Sequence, residues 1–308
     1  MAILGLQTAK RHNNLRIIYL TLLMPFIVFL CIFIYFLIVE AETTFQGIFT
    51  LSYMTVIYSL PVIWLWLFIA VYFQKQIIFK YTGSSELERK DNPELYNIVE
   101  NLCISRGLPM PRIWIINDGS MNAFATGWSP KSSYVVFSKW LIEKLDKNEI
   151  EAVAWHELTH IINGDVRTMV IANVFIGIIW TVWYILMRTG WWRSSSSKWK
   201  NPLPLLGLFL YIASIIFLPF INFAISRKKE FLADAGSVEL TKDRDAMISA
   251  LKKISGDSTI EEVQTRNSSV ASMFIYDPKK KSKVSSKLKG LFSTHPSLEE
   301  RIEMLQKY

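Results

Sequence analysis

Residues 156–160 read His-Glu-Leu-Thr-His. Positions four apart share one face of an α-helix and stand about 6 Å apart along its axis. That spacing lets His156 and His160 bind one zinc ion at about 2.0–2.1 Å, each through one ring nitrogen. Glu157 sits beside such a metal without having to bind it, and can take the proton of a water that the metal acidifies. The chain has four histidines, at 12, 156, 160 and 295, so chance placement of two around a glutamate at this spacing is rare. A structural zinc is usually closed by four Cys or His ligands. Neither cysteine, Cys31 or Cys103, is near enough in sequence to suggest one.

A catalytic zinc needs a third protein ligand and keeps its fourth position open. The segment Ser226 to Gly236 supplies the candidate, because Glu230 and Asp234 are again four apart on one helical face. We assign Glu230 as the third ligand. Asp234 then accepts the other N–H of a ligating histidine and fixes its tautomer. The competing reading of this pair is a charged, solvated helix end. The implied cofactor is one Zn2+ per chain.

The elements that must hold these groups can be read locally. Asn92-Pro93-Glu94 starts a helix that runs to about Ser105 and stops at Gly107. Arg112 to Asn117, Met121 to Trp128 and Ser133 to Phe137 read as strands, the second broken by a glycine. Lys139 to Leu145 is a short helix. Asp146 with Glu149 forms a capping box for the helix that carries His156 and His160. Ser297 with Glu300 caps a last helix whose apolar face is Leu298, Ile302 and Leu305.

Half of the chain (51%) is hydrophobic and only 19% is charged, with a mean hydropathy of +0.25. A soluble domain carries about a quarter charged residues, so this composition leans towards the membrane and excludes a disordered chain. Two cysteines exclude a disulfide-stapled secreted module. Four uncharged runs, Ile17 to Val39, Ile48 to Phe73, Thr168 to Met187 and Leu203 to Ile225, are each long enough to span a bilayer. The first exceeds a signal-peptide core, and Val39-Glu40-Ala41-Glu42 offers no cleavage site, so it reads as an uncleaved span.

The net charge of +8 reads as topology rather than nucleic-acid binding. Lys10, Arg11 and Arg16 precede the first run, Lys75 and Lys80 follow the second, and Arg227 to Lys229 follow the fourth. The positive-inside rule then puts both termini and the polar segments in the cytosol. Loop 188–202, with Arg188, Arg193, Lys198 and Lys200, disagrees. The expected architecture is an α-helical integral membrane protein with four transmembrane helices and a cytosolic α+β metalloprotease domain. Its parts are a membrane hairpin at 1–74, a first catalytic part at 75–167, a second hairpin at 168–225 and a second catalytic part at 226–308. The second hairpin returns the chain to the side it left, so Glu230 can approach His156 and His160.

Asn122-Ala123-Phe124-Ala125-Thr126-Gly127, His156 to His160, Ser226-Arg227 with Glu230 and Asp234, and Thr294-His295-Pro296 form one ordered set. An HExxH helix followed by an ExxxD helix resembles the gluzincins. The full set and the four apolar runs resemble, over nearly the whole chain, the HtpX-type membrane metalloproteases of the M48 peptidase family, relatives of the prenyl-protein peptidase Ste24. The resemblance implies that His156, His160 and Glu230 bind zinc and Glu157 is the base. It implies an endopeptidase that degrades misfolded or damaged membrane proteins in a stress response, working in the cell inner membrane. Residues 122–127 resemble the family's edge strand, which can bind an extended substrate by β-addition; an ordinary core strand is the other reading. Trp155 departs from the smaller residues familiar before the first histidine, and the basic outer loop is unexpected.

His295 can donate to the oxyanion of the tetrahedral intermediate, and Arg301 can do so or pair with a carboxylate. Both can equally be satisfied structural groups. Lys279 to Lys289 carries six lysines, a solvated loop or an attraction to anionic lipid. It lacks interleaved aromatics, so no nucleic-acid partner is expected. The expected partners are protein or peptide substrates and the lipid bilayer. Rival functions are a specific processing peptidase, an intramembrane protease, and a scaffold with a structural zinc. Ste24-like enzymes carry more spans than four, polar Asn148, Glu149, Glu151 and Asp165 surround the histidine motif, and the intact Glu157 has no use in a scaffold. The compact chain without a transit-like leader points to a bacterial plasma membrane.

Overall fold

The computed structural model describes residues 44–117, 119–171, 227–257 and 296–307, with isolated positions elsewhere. Outside the described residues lie most of the first apolar run, nearly all of the third and fourth, loop 188–202, His295 and the lysine run. The chain divides into two compact units. One comprises 1–14, 74–170 and 222–308, and the other 15–73 and 171–221.

The first unit is built on a four-stranded sheet of order β1-β2-β4-β3. β1 (Ser85–Glu86) pairs antiparallel with β2 (Arg112–Ile116), β2 parallel with β4 (Ser133–Ser138), and β4 antiparallel with β3 (Ala123–Gly127). Among the described residues β3 is therefore an edge strand. It is shorter than Met121–Trp128 because the backbone turns at Gly127, where φ is +136°. A Cβ at Gly127 would stand 2.6 Å from both the Ser132 carbonyl oxygen and the Ser133 Cα, so only glycine fits. β1 has no apolar alternation and was not legible before the fold was known.

Among the described residues six helices belong wholly to this unit. α2 (Pro93–Arg106) starts at Asn92, whose side chain accepts from the Leu95 amide, and ends at Gly107 in the left-handed region. α3 (Lys139–Lys144) follows β4 directly. α4 (Lys147–Asn163) carries the histidines and packs on β3, β4 and α2. α5 (Arg227–Thr241), α6 (Arg244–Asp257) and α7 (Leu298–Gln306) complete the unit. Both expected capping boxes are present: Asp146 Oδ1 accepts from the Glu149 amide and Glu149 Oε2 from the Asp146 amide, and Ser297 and Glu300 do the same for α7. Glu149 does more than cap. It is buried, and it also accepts from Ser249 and Lys253 of α6 at 2.6 and 2.7 Å.

The core lies where β4 meets α4. Val135, Val136, Phe137, Ala152, Val153 and Ala154 are fully buried. A second cluster joins Ala152 to Met247 and Leu251 of α6 and Leu305 of α7. These contacts fix α4, α6 and α7 as one body around the histidine motif.

The second apolar run lies in α1 (Phe45–Thr82), a helix of 38 residues with Pro61 inside it. It continues nine residues past the expected stop at Phe73, and its last turns belong to the first unit. There Phe79 stacks on Trp114 of β2, with ring centroids 3.6 Å apart, and meets the edge of Tyr134 of β4. Among the described residues no helix is long and apolar enough to cross a membrane. α1 has the length, but several of its side chains are not among those described. Of those that are, Phe45, Tyr58, Phe68 and Tyr72 are each about two-thirds exposed or more.

Candidate metal centre

α4 places His156, Glu157 and His160 on its buried side, where the side chains of Glu230 and Asp234 on α5 meet them. The two helices can approach because Gly236 faces Thr159: a Cβ there would lie 3.1 Å from the Thr159 hydroxyl. One residue on, the Ser237 hydroxyl donates to the Ala152 carbonyl at 2.7 Å and ties α5 to α4.

His156 Nε2 and His160 Nε2 are 3.2 Å apart, and they stand 3.7 and 3.6 Å from the two Glu230 carboxylate oxygens. All the potential ligand atoms lie within 4.8 Å of one another. Bonds of about 2.0–2.1 Å to a tetrahedral zinc put ligand atoms about 3.3–3.4 Å apart. The observed spacing is therefore that of a three-ligand zinc site, and two imidazoles with one carboxylate are a donor set such a zinc accepts.

The opposite ring edges support this. His156 Nδ1 is 2.9 Å from Asp234 Oδ1, a close polar contact although the N–H is not aligned for an ideal hydrogen bond. His160 Nδ1 is 3.1 Å from Asp165 Oδ2. A carboxylate at each Nδ1 assigns the proton there and turns both Nε2 lone pairs to the same point. Burial disfavours a charged His160, but Asp165, Glu230 and Glu157 outweigh it and lift the metal-free ring to about 9. That surplus of negative charge suits a cation.

Two carboxylates are held ionised against their burial. Burial would raise Asp234, but Arg301 and His156 bring it below the ordinary range. Burial would likewise raise Asp165, and His160 and Lys229 bring it down. Arg301 reaches in from α7, with Nε 2.8 Å from Asp234 Oδ2 and a terminal nitrogen 2.5 Å from Oδ1, a two-pronged clamp. Its other terminal nitrogen is 3.9 Å from Glu230 Oε2. Of the two expectations for Arg301, the structure places it on a carboxylate. Glu157 is buried and close enough to raise the affinity of both His160 and Arg301 for their protons.

Sequence reasoning missed Asp165 and Lys229 as part of this centre. Gly164 ends α4 in the left-handed region, with φ 72°, and the next residue turns back to His160. Lys229 then bonds Asp165 at 2.8 Å. The available signal was a carboxylate directly after the helix-stopping glycine. Just before β3, Asn122 is buried, its amide donates to Ser138 Oγ, and its side chain accepts from the Ala123 amide. Phe124 and Thr126 are buried, as are Ala123 and Ala125, and Gly127 ends the strand.

This fold and this ligand geometry define a metalloprotease of the HExxH class. The sequence profile of Peptidase family M48 matches residues 89–308, and the chain belongs to that family. It is 41% identical to a Protease HtpX homolog of Bacteroides fragilis, over 100% of both chains. To a Protease HtpX homolog of Dictyoglomus thermophilum it is 38% identical, over 75% of this chain and 74% of that one. The fold is also similar to the crystal structure of S. mikatae Ste24p, with a TM-score of 0.50 at 19% identity, over 98% of this chain and 67% of that one.

Proposed function

We propose that this metalloprotease is a zinc-dependent endopeptidase, embedded in the bacterial plasma membrane, that cleaves misfolded or damaged membrane proteins on the cytosolic side. The observation that carries the reading is the convergence of His156 Nε2, His160 Nε2 and Glu230 on one point, with Glu157 the next residue of the same helix. His156, His160 and Glu230 would hold the zinc. When bound, zinc supplies Lewis-acid polarisation of the scissile carbonyl and lowers the pKa of water.

The protein's own groups do the rest. Glu157 takes the proton of the attacking water and passes it to the leaving amine. Asp234 and Asp165 keep both rings turned inward, and Arg301 neutralises Asp234 without leaving it. Arg301, clamped on Asp234 and 3.9 Å from Glu230, acts as a positioning group, and the oxyanion donor we propose is His295, which lies outside the described residues.

β3 offers the substrate a backbone. The Ser138 amide donates to the Asn122 carbonyl at 2.8 Å, so residues 122, 124 and 126 are the ones that exchange bonds with β4. The N–H and C=O groups of Ala123, Ala125 and Gly127 then point to the other edge. Asn122 Oδ1 already takes the Ala123 amide. The Ala123 carbonyl and both groups of Ala125 and Gly127 serve an extended chain of any sequence, which suits a protease of broad range.

The exposed apolar side chains of α1 support membrane burial, and the four uncharged runs support four spans with the catalytic unit and both termini in the cytosol. The test is a matched pair in detergent, wild type and Glu157→Gln, each assayed for zinc and for cleavage of unfolded casein. One zinc in both and cleavage by wild type alone is expected. If both bind zinc and neither cleaves, the broad-range reading gives way to a narrow processing role.

A further inference from the structure

At the Gly127 end of β3 a cleft of about 190 Å³ opens between the strand and the end of α4. Its walls include Gly127, Trp128, Ile161, Ile162, Val166 and Arg167. None of the metal-centre residues lines it. We propose that this cleft is a specificity subsite that takes one apolar side chain, aliphatic or aromatic, of the substrate; the inference rests on the reading that substrate pairs with the free edge of β3.

Three observations converge. First, the cleft is walled on one side by the end of the helix that carries the histidines and on the other by the end of the strand proposed to pair with substrate. Ile161 and Ile162 directly follow His160 on α4, a rise of about 1.5 Å per residue, and Gly127 is the last outward-facing hydrogen-bonding position of β3. A chain extended along that edge runs onto the cleft, and alternate side chains of an added strand face the same side.

Second, most of the wall is apolar, with Ser129, Ser133 and Arg167 supplying its polar part. Ile161 and Val166 are buried and Ile162 half-buried. Trp128 is 42% exposed at the cleft, and the Arg167 guanidinium lies over its ring, 6.0 Å from the centroid. That contact steadies the indole and presents an aromatic wall. Third, the size fits. A cavity of about 150 Å³ lined by apolar groups holds a benzene ring, so the present cleft has room for the side chain of Leu, Ile, Met or Phe. The bare Gly127, which tolerates no Cβ, adds no side chain to that wall.

The experiment begins with mass-spectrometric profiling of casein fragments made by the full-length wild type. Apolar residues are expected to be enriched at one fixed position relative to the scissile bond. Two peptides are then synthesised, alike except for Leu or Ser at that position. Trp128→Ala and Ile162→Asp should each lower kcat/KM for the Leu peptide about tenfold, the scale set by an apolar pocket, and leave the Ser peptide within about twofold. Zinc content equal to wild type reports that each variant is folded. A profile with no apolar position, or equal losses on both peptides at full zinc content, overturns the subsite. Ala125→Pro, which removes an outward amide, separates the two readings. Loss on both peptides upholds edge pairing whatever Trp128 does; no loss on either sinks edge pairing and the subsite with it.

Discussion

Asp165 and Arg301 do for the metal centre what no ligand can do for itself. Asp165 holds His160 by its far nitrogen, and such outer partners are worth about 10–100-fold in metal affinity. Asp165→Asn is therefore expected to weaken zinc binding by that factor, read by competition with a chromophoric chelator, with the helix content unchanged. Arg301 has a different task. It is 2% exposed, and so is Asp234. Removing one member of a buried pair strands the other charge at a cost of about 3–5 kcal/mol. Arg301→Met should lower the stability of the metal-free protein by that order in a denaturant titration. Arg301→Lys should recover only part, because an ammonium cannot grip both carboxylate oxygens as the fork does. Equal stability of the Met variant and wild type would show that the clamp contributes nothing.

Among the elements, the crossing of α4 and α5 is the most sensitive to volume. Gly236→Val places a branched side chain against Thr159, where even a Cβ stands only 3.1 Å from the hydroxyl. Overpacking of this kind costs about 1–3 kcal/mol, and the shift is set between the two helices that carry the ligands. The variant should lose zinc as well as stability, and Thr159→Ala should restore part of both; no restoration would place the strain elsewhere. The helices themselves were open to sequence reasoning because their signals are local. Asn92-Pro93, Asp146 with Glu149, and Ser297 with Glu300 are caps written within four residues. The Gly127 break is likewise local. What stayed hidden is non-local: β1, which exists only by pairing with β2, the reach of Lys229 to Asp165, and the choice of Asp234 by Arg301 across 67 residues. Spacing within a helix is written in the sequence, but which helices cross, and where, is decided by packing.

At the scale of the whole molecule, the outward apolar face of α1 requires a cover. Burial of apolar surface yields about 25 cal/mol per Å², so a helix carrying exposed Phe45, Tyr58, Phe68 and Tyr72 gains greatly from lipid. The protein should stay with the membrane pellet through alkaline extraction; release into the supernatant would count against embedding. The stack of Phe79 on Trp114 gives α1 a fixed end on the sheet, so Phe79→Ala should cost about 3–5 kcal/mol of stability in the catalytic unit. Removal of metal by a chelator should abolish cleavage, and added Zn2+ should restore it. The clamp on Asp234 also has a consequence in time. Synthesis lays down α4, then α5, and Arg301 only 67 residues after the carboxylate it neutralises. Folding during synthesis proceeds from the N-terminal side, so the centre passes through an interval in which its ligands exist and its last counter-charge does not. A chain stopped at residue 297 represents that interval and is expected to be less stable than the full chain in the metal-free state, read in a denaturant titration; equal stability would show that the clamp is dispensable. The order in which the residues are made thus sets the order in which the charges of the centre are balanced.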